Sequence, residues 1–322
     1  LMSSDKILIV LGEPNSTFSE ILLRFFKSSN FQRTKKKIIL IGSYALLKEQ
    51  MKVLKYEIKL NKISEIRKSL QKKINIINVN YKFDKPFSKI SSNSNEYIES
   101  CFKLCLKIIK KNKKFSMING PISKKHFLKK KFPGITEYIA KKTNSNEPVM
   151  LIYNKNLSVS PLTTHIPIKS VSKYIKKRKI INNITKINDF YKSKLKINPN
   201  IAVMGLNPHC ESIDPVSEEK KEIIPAIKYL VNQKIKVDGP FAADTFFLEK
   251  NLKKFDVVVG MYHDQVLTPV KTLFKFNAIN ITIGLPFIKI TPDHGPNVDM
   301  TGKNTSDPSS IFYAFSFLDQ IK

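Results

Sequence analysis

The chain has 322 residues and a formal net charge of +30, from 56 Lys and Arg against 26 Asp and Glu. This length allows two domains with a sizeable core, and a hydrophobic content of 42% is ordinary for a globular protein. No apolar run approaches the roughly 20 residues of a membrane helix, and three cysteines cannot form a disulfide framework. These features favour a reducing, cytoplasmic setting without a membrane partner.

The positive charge raises the question of a nucleic-acid partner. Only four of the basic residues are arginine, the residue favoured for bidentate phosphate and base contacts. The lysines accompany abundant Ile and Asn, the amino acids that AT-rich codons specify. No RNP-like, zinc-finger or helix-turn-helix signature is present. We therefore interpret the charge as a genome-wide composition bias and expect no nucleic-acid partner.

Short apolar runs alternate with helical patterns along the chain. Eight runs predict strands: Lys6–Leu11, Lys37–Leu40, Ile74–Val79, Phe115–Ile118, Val149–Tyr153, Asn200–Gly205, Phe255–Gly260 and Ala278–Gly284. Four segments predict helices: Asn95–Asn112, Ile180–Lys194, Ser217–Gln233 and Pro308–Ile321. The alternation predicts an α/β fold with a mostly parallel sheet covered on both faces. No strand is followed by G-x-G-x-x-G, so a Rossmann glycine fingerprint is missing, as is a Walker A loop.

Three of the five histidines share one context. His165, His209 and His263 each follow an apolar run that predicts a strand. If the strands belong to one parallel sheet, the three imidazoles could converge at its carboxyl edge and bind a catalytic divalent metal. The alternative is three separate histidines, each hydrogen-bonded in its own loop. Their spacing in the sequence leaves both interpretations open.

Acidic and turn-rich segments surround these histidines. Asp244 lies at the start of a predicted helix, where an acid could also serve as a cap or first-turn charge. Asp264 could orient the neighbouring histidine or cap the next helix. The segment Leu285–Lys303 is dense in turn formers and contains Lys289 and His294, and a loop of this length in a compact domain is usually functional.

Eight phrases in this order resemble the 4-hydroxythreonine-4-phosphate dehydrogenase family of vitamin B6 biosynthesis. They are NGPISKKHF, FPGITEYIA, LTTHIPI, GLNPHCES, GPFAADTFF, MYHDQVLTPVK, NITIGLPFIKITPDHG and DPSSI. The resemblance implies two α/β/α domains with a central cleft, similar to isocitrate and isopropylmalate dehydrogenases. We expect residues 1–130 and 290–322 to form the first domain. The second, 131–289, would carry most metal and substrate residues and the contacts of a homodimer.

The same resemblance assigns residues by position. His165, His209 and His263 match the family's metal ligands, one of them supplied by the partner subunit at an interface active site. The matching substrate-binding positions are Thr136, Asp244, Lys271, Asn280 and Lys289. Asp244 and Lys271 are the expected catalytic residues, with Lys271 placed eight residues after His263 to meet an anion. His294 is expected near the cofactor, which is NAD by family precedent with NADP as the alternative. Zinc, cobalt, manganese or magnesium would suit the ligands.

The implied reaction is an NAD-dependent, metal-assisted oxidation and decarboxylation of 4-phosphohydroxy-L-threonine to 3-amino-2-oxopropyl phosphate. Oxidation of a secondary alcohol calls for a Lewis acid, and a phosphorylated substrate calls for cationic or backbone donors. Two alternatives remain: a related dehydrogenase for another phosphorylated hydroxy acid, and a non-catalytic homologue that binds a phosphorylated metabolite.

Three positions depart from the family pattern. Ile135 stands where the family usually has a histidine, and its side chain cannot form a hydrogen bond. Lys289 replaces an arginine, exchanging a bidentate fork for a point charge. The loop Gly12–Ile21 replaces a glycine-rich loop with residues that disfavour positive φ. These changes could alter the rate or the substrate.

Overall fold

The structure is a computed structural model that describes residues 6–112, 114–128, 131–211, 216–275, 277–292 and 295–321. The strands are β1 Lys6–Val10, β2 Lys37–Gly42, β3 Leu60–Ile63, β4 Ile74–Asn78, β5 Phe115–Asn119, β6 Val149–Tyr153, β7 Ser158–Thr163, β8 Ile201–Met204, β9 Val237–Phe241, β10 Val257–Tyr262, β11 Ile279–Ile283 and β12 Lys289–Pro292. The α-helices are α1 Phe18–Lys27, α2 Ser29–Arg33, α3 Tyr44–Val53, α4 Asn95–Lys111, α5 Ile135–Lys142, α6 Val171–Tyr174, α7 Lys177–Phe190, α8 Ile224–Asn232, α9 Ala243–Phe246, α10 Glu249–Leu252, α11 His263–Phe274 and α12 Ser309–Gln320. Within these ranges, no helix has the length and apolar character needed to cross a membrane.

The chain divides into two compact units. Unit 1 comprises Leu1–Asn146 and Leu285–Lys322, and unit 2 comprises Glu147–Gly284. The boundaries expected from the sequence are 130/131 and 289/290. The first boundary lies later in the chain because Tyr138 and Ile139 of α5 are buried in the core of unit 1. The second lies earlier because Phe287 packs in that same core.

Unit 1 contains a six-stranded parallel sheet in the order β3-β4-β2-β1-β5-β12. Its central strands are continuous apolar runs, as expected of strands buried on both faces. Leu8 and Val10 of β1 face a core shared with the apolar stripe of α4, represented by Ile98 and Phe102. On α1 and α12, the stacked rings of Phe25 and Phe315 lie 3.8 Å apart between centroids.

Unit 2 contains six strands in the order β11-β6-β7-β10-β8-β9. β7, β10, β8 and β9 are mutually parallel, whereas β6 runs antiparallel to both β7 and β11. One core contains Val159, Val258 and Met204 from the sheet together with Val266 of α11. The prediction of an α/β fold with a mostly parallel sheet is confirmed, and β6 is the antiparallel exception.

The apolar run before His165 corresponds to β7, so three strands have no predicted counterpart. β3 and β9 have the sequences LNKI and VDGPF, which lack the apolar run that identifies the central strands. β12, with the sequence KITP, lies in the segment interpreted as a long functional loop. It forms a strand because its backbone pairs with the buried strand β5, a long-range contact that the local turn-forming residues do not reveal.

Candidate active site

Four neighbouring strands of unit 2 end at one edge of the sheet. Because β7, β10, β8 and β9 are parallel and adjacent, their carboxyl ends lie side by side. His165 follows β7, His263 follows β10, His209 follows β8 and Asp244 follows β9. We call these four residues the rim. The carboxyl ends of such strands are the usual location of ligand sites in α/β sheets.

Two rim histidines stand next to each other. The ring centroids of His165 and His263 are 6.1 Å apart. The Nδ1 atom of His263 lies 2.6 Å from the Oδ1 atom of Asp264. In a neutral imidazole, a carboxylate acceptor at Nδ1 selects the tautomer with its hydrogen on Nδ1, which leaves the Nε2 lone pair available. Asp264 therefore orients the histidine, one of the two roles that its sequence position allows.

The other two rim residues form a second pair. The Nδ1 atom of His209 lies 3.6 Å from the Oδ2 atom of Asp244, and both side chains are more than half exposed. Asp244 lies in the first turn of α9, as the sequence predicts. Among the described residues, no group of three or more His, Cys, Asp or Glu side chains is arranged to hold a metal ion. The predicted three-histidine set is thus distributed over the rim as a histidine pair and a histidine–aspartate pair.

The chemistry of the rim fits a divalent metal. Two adjacent imidazoles are a typical part of a ligand set for zinc and related ions. In this pair, the carboxylate of Asp264 contacts Nδ1 of His263 and thereby leaves Nε2 available as a ligand. Catalytic metal sites usually have three protein ligands, so a complete site would need a third ligand besides His165 and His263.

The loop that carries His209 is anchored by residues absent from the predicted site. Glu219 is buried and accepts hydrogen bonds from the backbone of Leu206 and Asn207. Burial by itself raises the pKa of Glu219, but these hydrogen bonds outweigh it, so its pKa lies below the usual value. The sequence signal for this anchor was weak, since a Glu among Glu and Lys residues is typical of an exposed helix face.

Lys271 and Asn280 lie away from the histidines of their own chain. Lys271 is eight residues after His263 on α11, which places the two backbones about 12 Å apart along the helix axis. Asn280 pairs with Ile152, which pairs with Val159 near the start of β7. The rim is at the opposite end of that strand. Within one chain, Lys271 is thus separated from His263 along α11, and the expectation that Lys271 meets an anion stays a prediction.

Unit 1 holds the remaining predicted substrate residues. Lys289 pairs with Met117, so its side chain lies on the face of the sheet that α5 covers. It is 0% exposed, and its Nζ atom has no hydrogen-bond partner among the described residues. Burial lowers the pKa of Lys289 to about 7, while the nearby Glu137 carboxylate acts in the opposite direction. Thr136, adjacent to Glu137 in the first turn of α5, is also buried.

The loop Gly12–Ile21, whose sequence departs from the family pattern, has a favourable backbone conformation. Gly12 has a φ of +71°, and the rest of this fully described loop has no residue of positive φ. The replaced glycines are thus not required for backbone conformation here. Glu20 is buried and accepts hydrogen bonds from the backbone of Gly302 and Asn304, at 2.6 and 2.7 Å. The predicted cofactor contact of His294 lies outside the described residues.

Comparison with known proteins identifies relatives over nearly the whole chain. The family model described as "Pyridoxal phosphate biosynthetic protein PdxA" matches residues 34–318. A 4-hydroxythreonine-4-phosphate dehydrogenase of Sulfurihydrogenibium sp. is 36% identical over 96% of this chain and 96% of its own length. One of Aquifex aeolicus is 32% identical over 98% of each chain. These relatives are dehydrogenases, so the chain is assigned to the oxidoreductases.

Solved structures agree with this assignment. A 4-hydroxythreonine-4-phosphate dehydrogenase from Burkholderia phymatum matches with a TM-score of 0.81 and 27% identity, covering 100% of this chain and 99% of the other. Isocitrate dehydrogenase from Methylococcus capsulatus matches with a TM-score of 0.51 and 10% identity, covering 98% of this chain and 84% of the other, which shows a shared fold alone. The fold similarity expected from the sequence is thus confirmed, and the chain belongs to the PdxA family.

Proposed function

We propose that this protein is an NAD-dependent and divalent-metal-dependent dehydrogenase of vitamin B6 biosynthesis. It would convert 4-phosphohydroxy-L-threonine to 3-amino-2-oxopropyl phosphate and CO₂. The observation that carries the proposal is the rim, where His165, His263, His209 and Asp244 meet at one sheet edge. The full-length similarity to dehydrogenases of this name supports the same substrate.

The metal would be held by His165, His263 and a third histidine, His209, with one of the three contributed by a second copy of the chain. When bound, a divalent ion supplies a Lewis acid that stabilises negative charge developing on a substrate oxygen. The hydrogen bond from His263 to Asp264 fixes the tautomer that presents Nε2 for this purpose. Zinc, cobalt, manganese and magnesium are all candidates for this ligand set.

The residues of the chain would move the protons and hold the substrate. Oxidation removes a hydride from the carbon that bears the secondary hydroxyl, for which NAD is the acceptor. The hydroxyl proton leaves at the same stage, and the exposed Asp244 carboxylate is placed at the rim to take it. The bond to the carboxylate carbon then breaks, CO₂ leaves, and the remaining carbon takes up a proton. The ammonium groups of Lys271 and Lys289 would neutralise the anionic groups of the substrate.

A homodimer is part of the proposal. Lys271 and Asn280 lie away from the histidines of their own chain, as shown by helix length and strand register. A second copy would bring one chain's Lys271 and Asn280 to the other chain's rim. Sedimentation equilibrium should therefore give twice the chain mass. Mixing inactive His263→Ala and Lys271→Ala chains should also restore activity, because one of the two sites in a mixed dimer is intact.

A second substrate is favoured by one comparison and two residues. A protein of Oceanobacillus iheyensis, whose name refers to D-threonate 4-phosphate dehydrogenase, is 30% identical over 95% of this chain and 94% of its own length. Ile135 and Lys289 depart from the pattern of the family's B6 enzymes, and both lie in unit 1 at or beside α5. We therefore propose D-threonate 4-phosphate as the alternative substrate, with the same rim chemistry.

The test is NADH formation by the purified protein, stripped of metal and then resupplied with each divalent ion. Metal-dependent turnover of 4-phosphohydroxy-L-threonine, abolished by His209→Ala and retained by the control His126→Ala, is the expected result. Faster turnover of D-threonate 4-phosphate would establish the second candidate. No turnover of either substrate with any metal, from folded dimeric protein, would refute both and favour a binding protein for phosphorylated metabolites.

A further inference from the structure

The loop that carries His209 has an unfavourable backbone conformation. His209 and Cys210 are consecutive non-glycine residues in the left-handed region, with φ values of 56° and 60°. Each such residue costs about 1 kcal/mol or more, so the conformation persists only if its surroundings hold it. The loop begins immediately after β8, at Gly205. The contacts of the residues between Gly205 and His209 therefore decide where the imidazole is placed.

Glu219 provides those contacts. Its Oε1 atom accepts hydrogen bonds from the backbone nitrogens of Leu206 and Asn207, at 2.7 and 2.9 Å. Its Oε2 atom accepts a third from the side-chain nitrogen of Asn207, at 2.8 Å. The carboxylate is 1% exposed, so three short hydrogen bonds to a buried charge hold the loop two residues before His209.

The other side of the loop is fixed to β10. The amide of Gln265, which is nearly fully buried, donates to the carbonyl of Gly205 and accepts from the backbone nitrogen of Met261, both at 2.7 Å. Gln265 is in the first turn of α11, the helix that starts at His263. Thr163, two residues before His165, donates to the carbonyl of Met261 at 2.7 Å. The strand exits of all three histidines are therefore joined by buried hydrogen bonds.

We infer that Glu219 is a positioning residue of the rim: its carboxylate sets the backbone of the Leu206–Asn207 turn and thereby the place of His209 relative to His263. Glu219 acts through the loop backbone, and Gln265 holds the start of the same loop through its hydrogen bond to the carbonyl of Gly205. The inference rests on the proposed function, since it predicts divalent-metal affinity.

The substitution Glu219→Gln isolates this role. An amide has one acceptor oxygen, whereas the carboxylate uses both oxygens to accept hydrogen bonds. The variant therefore places an NH₂ group against either the two backbone nitrogens or the Asn207 amide, while keeping the size of the side chain. The matched control is Glu222→Gln in the same helical turn, where the carboxylate contacts the backbone of Lys177 and the ammonium of Lys176 instead.

The measurement is cobalt binding by the metal-stripped, full-length protein, followed by calorimetry and by the visible spectrum of Co²⁺. We expect Glu219→Gln to bind about 10- to 100-fold more weakly, the range typical of lost outer-shell partners, with a changed spectrum. Glu222→Gln should bind like the wild type. Equal affinities and spectra in wild type and folded Glu219→Gln would overturn the inference alone. Failure of the wild type to bind cobalt would overturn the proposed metal site and this inference with it.

A second variant covers the case in which Glu219→Gln does not fold. Asn207→Ala removes one of the three hydrogen bonds to Glu219, together with the hydrogen bond from Asn207 to Glu218, and leaves the two from the backbone to Glu219 intact. We expect a smaller loss of cobalt affinity, with the urea midpoint close to that of the wild type. A purely structural role would give the reverse, a lowered midpoint with unchanged cobalt affinity and spectrum, and would refute the inference.

Discussion

The rim of unit 2 differs from the Lys289 region of unit 1, by which we mean Lys289 and residues Ile135–Glu137 of α5. Polar side chains at the rim are exposed to solvent, whereas Lys289 is buried. At the rim, the side chains of His209, Asp244 and Asp264 are more than half exposed, and each of them has a polar partner within 4 Å. Lys289 is 0% exposed, and its Nζ has no hydrogen-bond partner among the described residues. Solvent screens the rim charges, so their interactions contribute little to folding and are available for ligands. The buried ammonium destabilises the fold unless something binds to it.

The largest expected effect is at the rim. His165→Ala removes one imidazole of the adjacent pair and should reduce kcat/KM by at least about 100-fold, since loss of even an outer-shell partner costs about 10- to 100-fold. Stability should change little because His165 is exposed. Initial rates and urea midpoints measured on the same samples check both parts. If His165→Ala loses stability and keeps its activity, the rim contributes to folding and not to ligand binding.

Lys289→Met should, unlike His165→Ala, change stability. We expect the free energy of unfolding to rise by on the order of a few kcal/mol. The pKa of Lys289 is about 7 in the folded protein and 10.5 in the unfolded chain. Between these values the unfolded chain binds more protons, so wild-type stability should rise with pH from about 7 to about 10. Below pH 7 both states are protonated, and the cost of burial is fully present. Methionine removes that cost, so the gain in stability should be greatest below pH 7 and decrease above it.

Urea unfolding of wild type and Lys289→Met at about pH 6 and about pH 9 measures this difference. Lys110→Met, on the exposed face of α4, is the control and should show no comparable dependence on pH. A gain that is the same at both pH values would mean that packing, and not the buried charge, determines the effect of the substitution.

Asp264→Asn should give an intermediate effect at the rim. The amide of asparagine is an uncharged acceptor for His263. The imidazole is therefore held less firmly in its orientation, and it is a less basic ligand. We expect divalent-metal affinity to fall by about 10- to 100-fold, measured by calorimetry on metal-stripped protein. The matched control is Asp238→Asn on β9, because Asp238 forms an exposed ion pair with Lys254. Equal metal affinity in both variants would show that the short His263–Asp264 contact has no role in ligand binding.

The smallest expected effect tests Ile135 in the Lys289 region. Ile135→His restores the imidazole that the family usually has, and a neutral hydrogen bond contributes about 1 kcal/mol. The KM for 4-phosphohydroxy-L-threonine should therefore fall about fivefold. Ile135→Leu, which keeps the apolar volume, should leave KM unchanged. If histidine instead raises KM, the site has adapted to isoleucine, which would favour the alternative substrate.

Several parts of the site could be predicted from local sequence. The strands before His209 and His263 are continuous apolar runs, so the strand exits and their histidines could be located with β8 and β10 shifted by one or two residues. The assignment of substrate positions came from family resemblance. Glu219 could not be predicted because its function depends on a contact with the Leu206–Asn207 turn, and its neighbours in the sequence are typical of an exposed helix.

The sequence by itself determined the α/β class, the family and the chemistry of the residues that end the strands. Apolar runs and short motifs carry this information locally, because strand and helix periodicity depend on neighbouring residues. Only the tertiary structure decided that β7, β10, β8 and β9 are adjacent, that His165 stands beside His263, and that Lys289 is buried. Strand order and burial depend on contacts between distant segments. A lysine in a turn-rich segment becomes a buried charge solely because β12 pairs with β5 under α5.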